Sequence, residues 1–155
     1  MYLREWLPWL DNNTSLEDTK GFIRSSLKQF AKNNGFQVGI WFQGQLVGVI
    51  GYHSIEWVNR TTSIGYWLGE PFQRRGLATK ACQSLTDYAF RELRLNRVEI
   101  RCATGNNRSR NIPKRLGFKE EGIVRQVEWL YDHFVDHVIY GMVSEEYPTV
   151  VEQPS

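Results

Sequence analysis

The sequence predicts an α+β fold built on one mixed sheet, mostly antiparallel, with a single helix-connected parallel pair near its centre. Three observations predict it. The hydrophobic period changes from helical to two at Phe36. It then stays at two through three runs separated by the turn segments Gln43-Gly44 and Val58-Asn59-Arg60. A helical pattern from Leu77 to Leu93 next separates the third run from a fourth, Arg97 to Ala103, the strand–helix–strand order of a parallel crossover. Two more alternating runs, Ile123 to Leu130 and Phe134 to Met142, flank an Asp132-His133 turn.

Taken in order, Leu3, Trp6, Leu7 and Leu10 fall at helical spacing, with Pro8 interrupting any long helix. Thr14-Ser15-Leu16-Glu17 reads as a capping box. The helix it opens carries Phe22, Ile23, Leu27 and Phe30 on one face, runs to about Asn33 and ends at Asn34-Gly35. Phe36 to Trp41 and Leu46 to Tyr52 form a hairpin about Gln43-Gly44. Thr62 to Leu68 is the third strand, ending in Gly69-Glu70-Pro71. The crossover helix has an inner stripe of Leu77, Ala81, Leu85, Tyr88 and Ala89. The fourth strand places Val98, Ile100 and Cys102 on one face. Asn106 to Leu116 is a loop and short helix stopped by Gly117. No strand-like run precedes Phe36, so the Phe36–Trp41 edge is expected to lack a partner strand.

Length and composition suit one domain, residues 1–147, followed by a loose polar tail at 148–155 with two prolines. Apolar residues make up 41% of the chain and aromatic residues 14%, which excludes a disordered class. A net charge of +2 gives no ground for direct nucleic-acid binding. Cys82 and Cys102 sit in apolar patterns, without disulfide or metal-ligand spacing. A reducing cytoplasm and no metal are the expectation. No apolar run reaches membrane-spanning length, and Glu5 with no apolar core region behind it argues against a signal peptide.

Chemistry concentrates at Gln73-Arg74-Arg75-Gly76-Leu77-Ala78, between a strand and a helix. Gly76 lets backbone approach a ligand. The first-turn amides of the helix are unpaired, and its dipole favours an anion. With Arg74 and Arg75 beside it, a pyrophosphate is the natural guest. An ordinary basic loop ahead of a helix would carry the same residues.

This string resembles the Gln/Arg-x-x-Gly-x-Gly/Ala signature of the GNAT N-acetyltransferases. Ile64-Gly65-Tyr66-Trp67-Leu68, Leu95-Asn96-Arg97-Val98-Glu99-Ile100-Arg101, Asn106-x-x-Ser109 and Leu116-Gly117-Phe118-x-x-Glu121-Gly122 resemble the RimJ/RimL-like branch, which acetylates the N-termini of ribosomal proteins. The likeness runs from about Phe36 to Tyr147. It implies the GNAT acyl-CoA N-acyltransferase fold, in which the third and fourth strands splay around acetyl-CoA. That family's sheet begins with a strand this chain is expected to lack. By the resemblance, backbone at Trp67 and Leu68 binds pantetheine and a nearby N–H stabilises the oxyanion, while Gln73, Arg74, Arg75, Gly76, Leu77, Ala78 and Thr79 hold the pyrophosphate. Many relatives carry a Tyr acid just before the Leu-Gly-Phe motif. This chain has Pro113 near that point, so Ser109 is the candidate beside the leaving thiolate, with Asn106 near the cofactor. Glu128, in Val127-Glu128-Trp129, matches the glutamate proposed as base in this branch.

Each of these residues has a plainer reading. Asn106 and Ser109 suit helix-cap chemistry, and Glu128 suits the solvent face of an alternating strand. Burial would raise the Glu128 pKa and make it a usable base. Glu56 is a weaker rival. His53, His133 and His137 show no ligand spacing, and both cysteines suit the core. Arg108, Arg110, Lys114 and Arg115 would meet the 3′-phosphate of coenzyme A or form a solvated helix face. The expected reaction is direct attack of an amine on acetyl-CoA, the amine being a protein N-terminus. The alternatives are a polyamine or antibiotic as acceptor, or a non-catalytic CoA-binding module. The acceptor pocket is expected near Trp6 and Trp9, and a homodimer is compatible with the family.

Overall fold

The structure is a computed structural model that describes residues 5–7 and 14–147. Its elements are α1 (Leu16–Ala31), β1 (Gln37–Phe42), β2 (Gln45–Glu56), β3 (Thr61–Leu68), a 3-10 turn at Glu70–Phe72, α2 (Leu77–Arg91), β4 (Arg97–Ala103), α3 (Asn107–Arg115), β5 (Lys119–Leu130) and β6 (His133–Val143). The strands form one six-stranded sheet in the order β1-β2-β3-β4-β6-β5. Only β3 and β4 run parallel, joined by α2. The expected α+β sheet with one crossover pair is therefore observed.

Local chemistry accounts for the boundaries. The cap of α1 is Ser15, one residue later than the sequence suggests, because Asp18 rather than Glu17 reaches back. Its Oδ2 accepts from the Thr14 and Ser15 amides at 3.1 and 3.0 Å, while the Ser15 hydroxyl accepts from the Asp18 amide. The β1–β2 hairpin turns on Gln43 and Gly44, both left-handed (φ 50° and 77°), a twist that suits a two-residue connection. The last hairpin turns at Tyr131-Asp132 rather than Asp132-His133, with Tyr131 at φ 60°. Strands β2 and β5 are longer than the alternating pattern indicates. Each carries an irregularity in register, at Tyr52/Ile55 in β2 and at Glu120/Gly122 and Val124/Glu128 in β5, which breaks the period-two signal.

The core lies between α2 and one sheet face. Ile50, Tyr52, Ile64, Val98, Ile100, Val138 and Tyr140 are all 2% exposed or less. Burying each aliphatic side chain contributes about 1.5–3 kcal/mol. The Tyr52 hydroxyl donates to the Leu85 carbonyl of α2 at 2.5 Å, satisfying a polar atom carried into that layer. Residues Cys82, Leu85, Thr86, Ala89 and Phe90 form the buried face of α2. The stripe is rotated from the expected one: Tyr88 is 41% exposed and Phe90 is inside. Thr86 hid in the sequence as a polar residue; its hydroxyl donates to the Cys82 carbonyl, which lets it sit in the core.

Helix α1 departs most from expectation. None of its residues is buried. Phe22, Ile23, Leu27 and Phe30, the apolar face of this helix by its sequence pattern, are 45% to 67% exposed and line an open groove against β1 and β2. Gln29 ties the helix down, its Nε2 donating to the carbonyls of Asn34, Tyr52 and His53. Among the described residues no strand precedes β1, which pairs with β2 alone. Leu3, Pro8, Trp9, Leu10 and the 148–155 tail lie outside the described residues.

Candidate active site

The site follows from where the parallel pair stops. Rungs join Thr61–Ile64 to Arg97–Ile100, after which β3 continues to Leu68 and β4 to Ala103 without a rung between them. Beyond Ile64, β3 keeps its pairing to β2 through Leu68, opposite Gly48. The two strand ends thus border an open wedge. A groove of about 500 Å³ opens there, lined by Tyr66, Trp67 and Leu68 of β3, the Gln73–Thr79 segment, the Asn106–Arg115 helix region, and Trp6 and Leu7.

One end of this groove is the start of α2. Gly76 is the N-cap at φ 74° with no side-chain cap, and no acidic residue occupies the first turn. A Cβ built on Gly76 would meet nothing within 4 Å, so the glycine is required by backbone conformation and not by crowding. The first-turn amides and the positive end of the helix dipole are left for an anion. Arg74, also left-handed at φ 65°, lines the groove. The Arg75 guanidinium instead lies 5.5 Å over the Phe42 ring, away from it.

Gln73 ties the groove walls together. Its Nε2 donates to the Leu68 carbonyl at 3.1 Å and its Oε1 accepts from Arg108 Nη1 at 2.8 Å, joining the end of β3 to α3. The basic cluster on α3 divides. Arg108 and Arg115 line the groove, whereas Arg110 is built into the fold: it donates to the Tyr140 hydroxyl at 2.9 Å and the Thr104 carbonyl at 2.8 Å. The hydrogen bond to the Tyr140 hydroxyl, above all, holds the Arg110 pKa above its ordinary value.

Asn106 caps α3, its Oδ1 accepting from the Ser109 amide at 3.3 Å, so its side chain does helix-cap work. This cap turns Ser109 toward β3 and β4. The Ser109 hydroxyl lies 3.1 Å from the Tyr66 hydroxyl and 3.4 Å from Cys102 Sγ, and the Tyr66 hydroxyl donates to the Ser109 carbonyl at 3.0 Å. Burial pushes the Tyr66 pKa well above 10, so its phenol stays protonated. Burial likewise raises the Cys102 thiol pKa, leaving it a poor nucleophile.

Glu128 is half-buried on β5, opposite Val135, with Oε1 at 3.6 Å from His137 Nε2. His137 is opposite Ala103, the last residue of β4, which brings the pair beside the open wedge although neither residue lines the groove. Glu56 is remote in role: it accepts from Asn59 in the β2–β3 turn. His53 Nδ1 lies 2.9 Å from Ser63 Oγ, and His133 Nδ1 lies 2.6 Å from Asp132 Oδ1. Among the described residues no His/Cys/Asp/Glu group of three could hold a metal, and no helix is long and apolar enough to cross a membrane.

An open parallel pair, an anion-ready helix start and a hydroxyl cluster between them suit a phosphate-bearing acyl carrier. The model of the acetyltransferase (GNAT) domain matches residues 1–119. The chain belongs to this family. It is an acetyl-CoA-dependent N-acetyltransferase, and its sheet is the fold of that family. The ribosomal N-acetyltransferase candidate YdaF of Bacillus subtilis (strain 168) is 38% identical over 146 residues, 94% of this chain and 80% of that protein. The ribosomal-protein-serine acetyltransferase of Escherichia coli (strain K12) is 31% identical over 144 residues, 93% of this chain and 80% of that one. A solved structure of RimL, a ribosomal L7/L12 alpha-N-protein acetyltransferase in complex with coenzyme A, superposes with a TM-score of 0.87 at 28% identity. The match covers 92% of this chain and 80% of that one.

Tyr66 and His137 are the residues of this acetyltransferase whose contacts with Ser109 and Glu128 the sequence did not announce. Tyr66 had a signal: it continues the inward row of Ile64 and Leu68, and a phenol in such a row needs a polar partner. His137 had none, because its approach to Glu128 depends on the irregular β5 register.

Proposed function

We propose that this acetyltransferase transfers the acetyl group of acetyl-CoA to the N-terminal α-amine of a protein, a ribosomal protein being the best-supported acceptor. The observation that carries the reading is the splay of β3 from β4 beside the uncapped start of α2, with the Ser109 hydroxyl between them. The two ribosomal-protein relatives support the acceptor class.

The residues present fit the cofactor. The Gly76 cradle is open, the first-turn amides of α2 are suited to an anion, and Arg74, Arg108 and Arg115 line the same groove. We assign the diphosphate to Gln73, Arg74, Gly76, Leu77, Ala78 and Thr79; Arg75 is left out because its guanidinium lies over the Phe42 ring. Arg108 and Arg115 are assigned to the 3′-phosphate. Backbone at Trp67 and Leu68 would orient the pantetheine arm, and an N–H there would stabilise negative charge on the carbonyl oxygen. Acetyl-CoA supplies a thioester activated toward amines.

As the amine nitrogen bonds to the carbonyl carbon, the C–S bond breaks with its electron pair going to sulfur, and one N–H proton must leave. Glu128 accepts that proton, directly or through water, with His137 beside it. An α-amine, with a pKa of about 7.7–8.0, needs less help than a lysine near 10.4. Ser109 donates a hydrogen bond to the departing sulfur. No covalent enzyme intermediate is required, consistent with the protonated Cys102. Residues 1–147 are read as one domain acting in a reducing cytoplasm.

A thiol-release assay with acetyl-CoA and a panel of peptides, polyamines and aminoglycosides tests the reading. Acetylation of peptides beginning with a free α-amine is expected. Turnover with polyamines or aminoglycosides and none with any peptide would overturn the acceptor assignment.

A further inference from the structure

We infer that Tyr66 is a positioning residue that directs the Ser109 hydroxyl, so that the two hydroxyls act as one hydrogen-bonding unit toward the departing sulfur. The inference rests on the functional reading above and carries it further.

The geometry is a closed exchange. Tyr66, on β3, donates to the Ser109 carbonyl at 3.0 Å, and the Ser109 hydroxyl, on α3, donates back to the Tyr66 oxygen at 3.1 Å. Both residues line the groove. The Tyr66 oxygen is thus nearly equidistant from the Ser109 carbonyl and the Ser109 hydroxyl oxygen. Its proton can turn from one to the other with little movement. In the arrangement observed, the Ser109 hydroxyl has its acceptors within the protein, the Tyr66 oxygen at 3.1 Å and Cys102 Sγ at 3.4 Å. When charge develops on sulfur, Ser109 turns its O–H to the sulfur, and the Tyr66 O–H turns from the carbonyl to the Ser109 oxygen it has just released. No hydroxyl is left without a partner at either stage, and the chained bonds strengthen each other.

Proton affinities set the limits of this role. A serine alkoxide or this buried tyrosinate is a far stronger base than a thiolate, whose acid has a pKa of about 8.5. Neither hydroxyl therefore gives its proton away. The pair stabilises the thiolate by hydrogen bonding, and sulfur takes its proton from solvent or leaves without one. Cys102 Sγ, at 3.4 Å, offers Ser109 a weaker resting acceptor and does not replace the phenol.

The test compares Tyr66→Phe, Ser109→Ala and the double variant. The first readout uses no acceptor: coenzyme A is bound to each protein, and its thiol is titrated by the ultraviolet absorbance of the thiolate. The unmodified protein should lower the thiol pKa of bound coenzyme A. Tyr66→Phe should return it upward by about one pH unit, the size of one hydrogen bond to a charged group. In the Ser109→Ala background, Tyr66→Phe should change nothing further. The second readout is kcat with a peptide acceptor, which Tyr66→Phe should lower about tenfold while KM for acetyl-CoA stays within about twofold. Thermal unfolding checks that each variant is folded. If Tyr66→Phe and Ser109→Ala act additively, or if Tyr66→Phe changes only KM, the coupling is refuted. Failure of the unmodified protein to bind coenzyme A would overturn the functional reading and this inference together, an outcome distinct from binding with an unshifted thiol, which overturns the inference alone.

Discussion

Replacing Gly76 with Glu tests the anion site most directly, provided its effect is separated from backbone strain. Gly76 has φ 74°, a conformation that costs a side-chain-bearing residue about 1–2 kcal/mol. An added Cβ meets nothing within 4 Å, so no packing clash adds to that cost. For a chain of this size each kcal/mol lowers Tm by about 2–4 °C, so both Gly76→Ala and Gly76→Glu should melt some 2–8 °C lower. Binding should separate them. A carboxylate about 5 Å from a phosphate charge, at an effective dielectric of about 20, costs about 3 kcal/mol, or roughly a hundredfold in Kd. Gly76→Ala should bind coenzyme A within about tenfold of the unmodified protein, since only strain and local shape change. Calorimetry at low salt measures both, and raising the salt should narrow the gap between Ala and Glu. Equal affinities for Gly76→Ala and Gly76→Glu, with both folded, would remove the diphosphate from the start of α2.

Three other expectations are independent of that test. Ser109→Ala should lower kcat by about ten- to a hundredfold, the worth of one hydrogen bond to a charged group, with KM for acetyl-CoA nearly unchanged; steady-state kinetics decides, and full activity would return the role to water. Glu128→Gln should lose most activity below the amine pKa of about 8, where the acceptor is protonated, and recover above it; a pH-independent deficit in kcat/KM would assign Glu128 to substrate binding. His53 faces Ser63 and the charge of Arg101, and desolvation followed by that charge holds its pKa below the ordinary 6.5. The unfolded state then binds the extra proton first, so stability is full above about pH 6.5 and falls as pH drops below it. Denaturant unfolding of His53→Gln should show a weaker loss over that acid window, and an identical pH slope would contradict the assignment.

Local signals carried much of this fold. The Gln43-Gly44 turn, the crossover helix and β4 at Arg97–Ala103 are where the pattern puts them, because turn chemistry and period act over neighbouring residues. The segment assigned to the diphosphate was legible for the same reason: a glycine, two arginines and a helix start are contiguous. The errors arose where distant partners decide. The apolar stripe of α1 is a strong helical signal, yet among the described residues nothing buries it, because period reports amphipathicity and not the presence of a partner. Tyr88, expected on the inner stripe of α2, is exposed, while Thr86 is buried, because a hydroxyl bonded to its own helix is compatible with a core.

The candidate site divides along the same line. The sequence by itself determined the family, the strand–loop–helix assigned to an anion, and Ser109 and Glu128 as residues of interest, since these depend on residue type and short spacing. Only the tertiary structure decided which of them meet. Arg75 turned to Phe42 and Arg110 to Tyr140, although both sit in basic clusters beside residues that line the groove. Tyr66 and Ser109 are forty-three residues apart in sequence, yet their hydroxyls lie 3.1 Å from one another. His137 reaches Glu128 through an irregular register in β5. Such contacts depend on strand order, on where the β3–β4 ladder ends, and on side-chain direction. Those are properties of the folded sheet, set by the packing of the whole core, and no short window of sequence contains them.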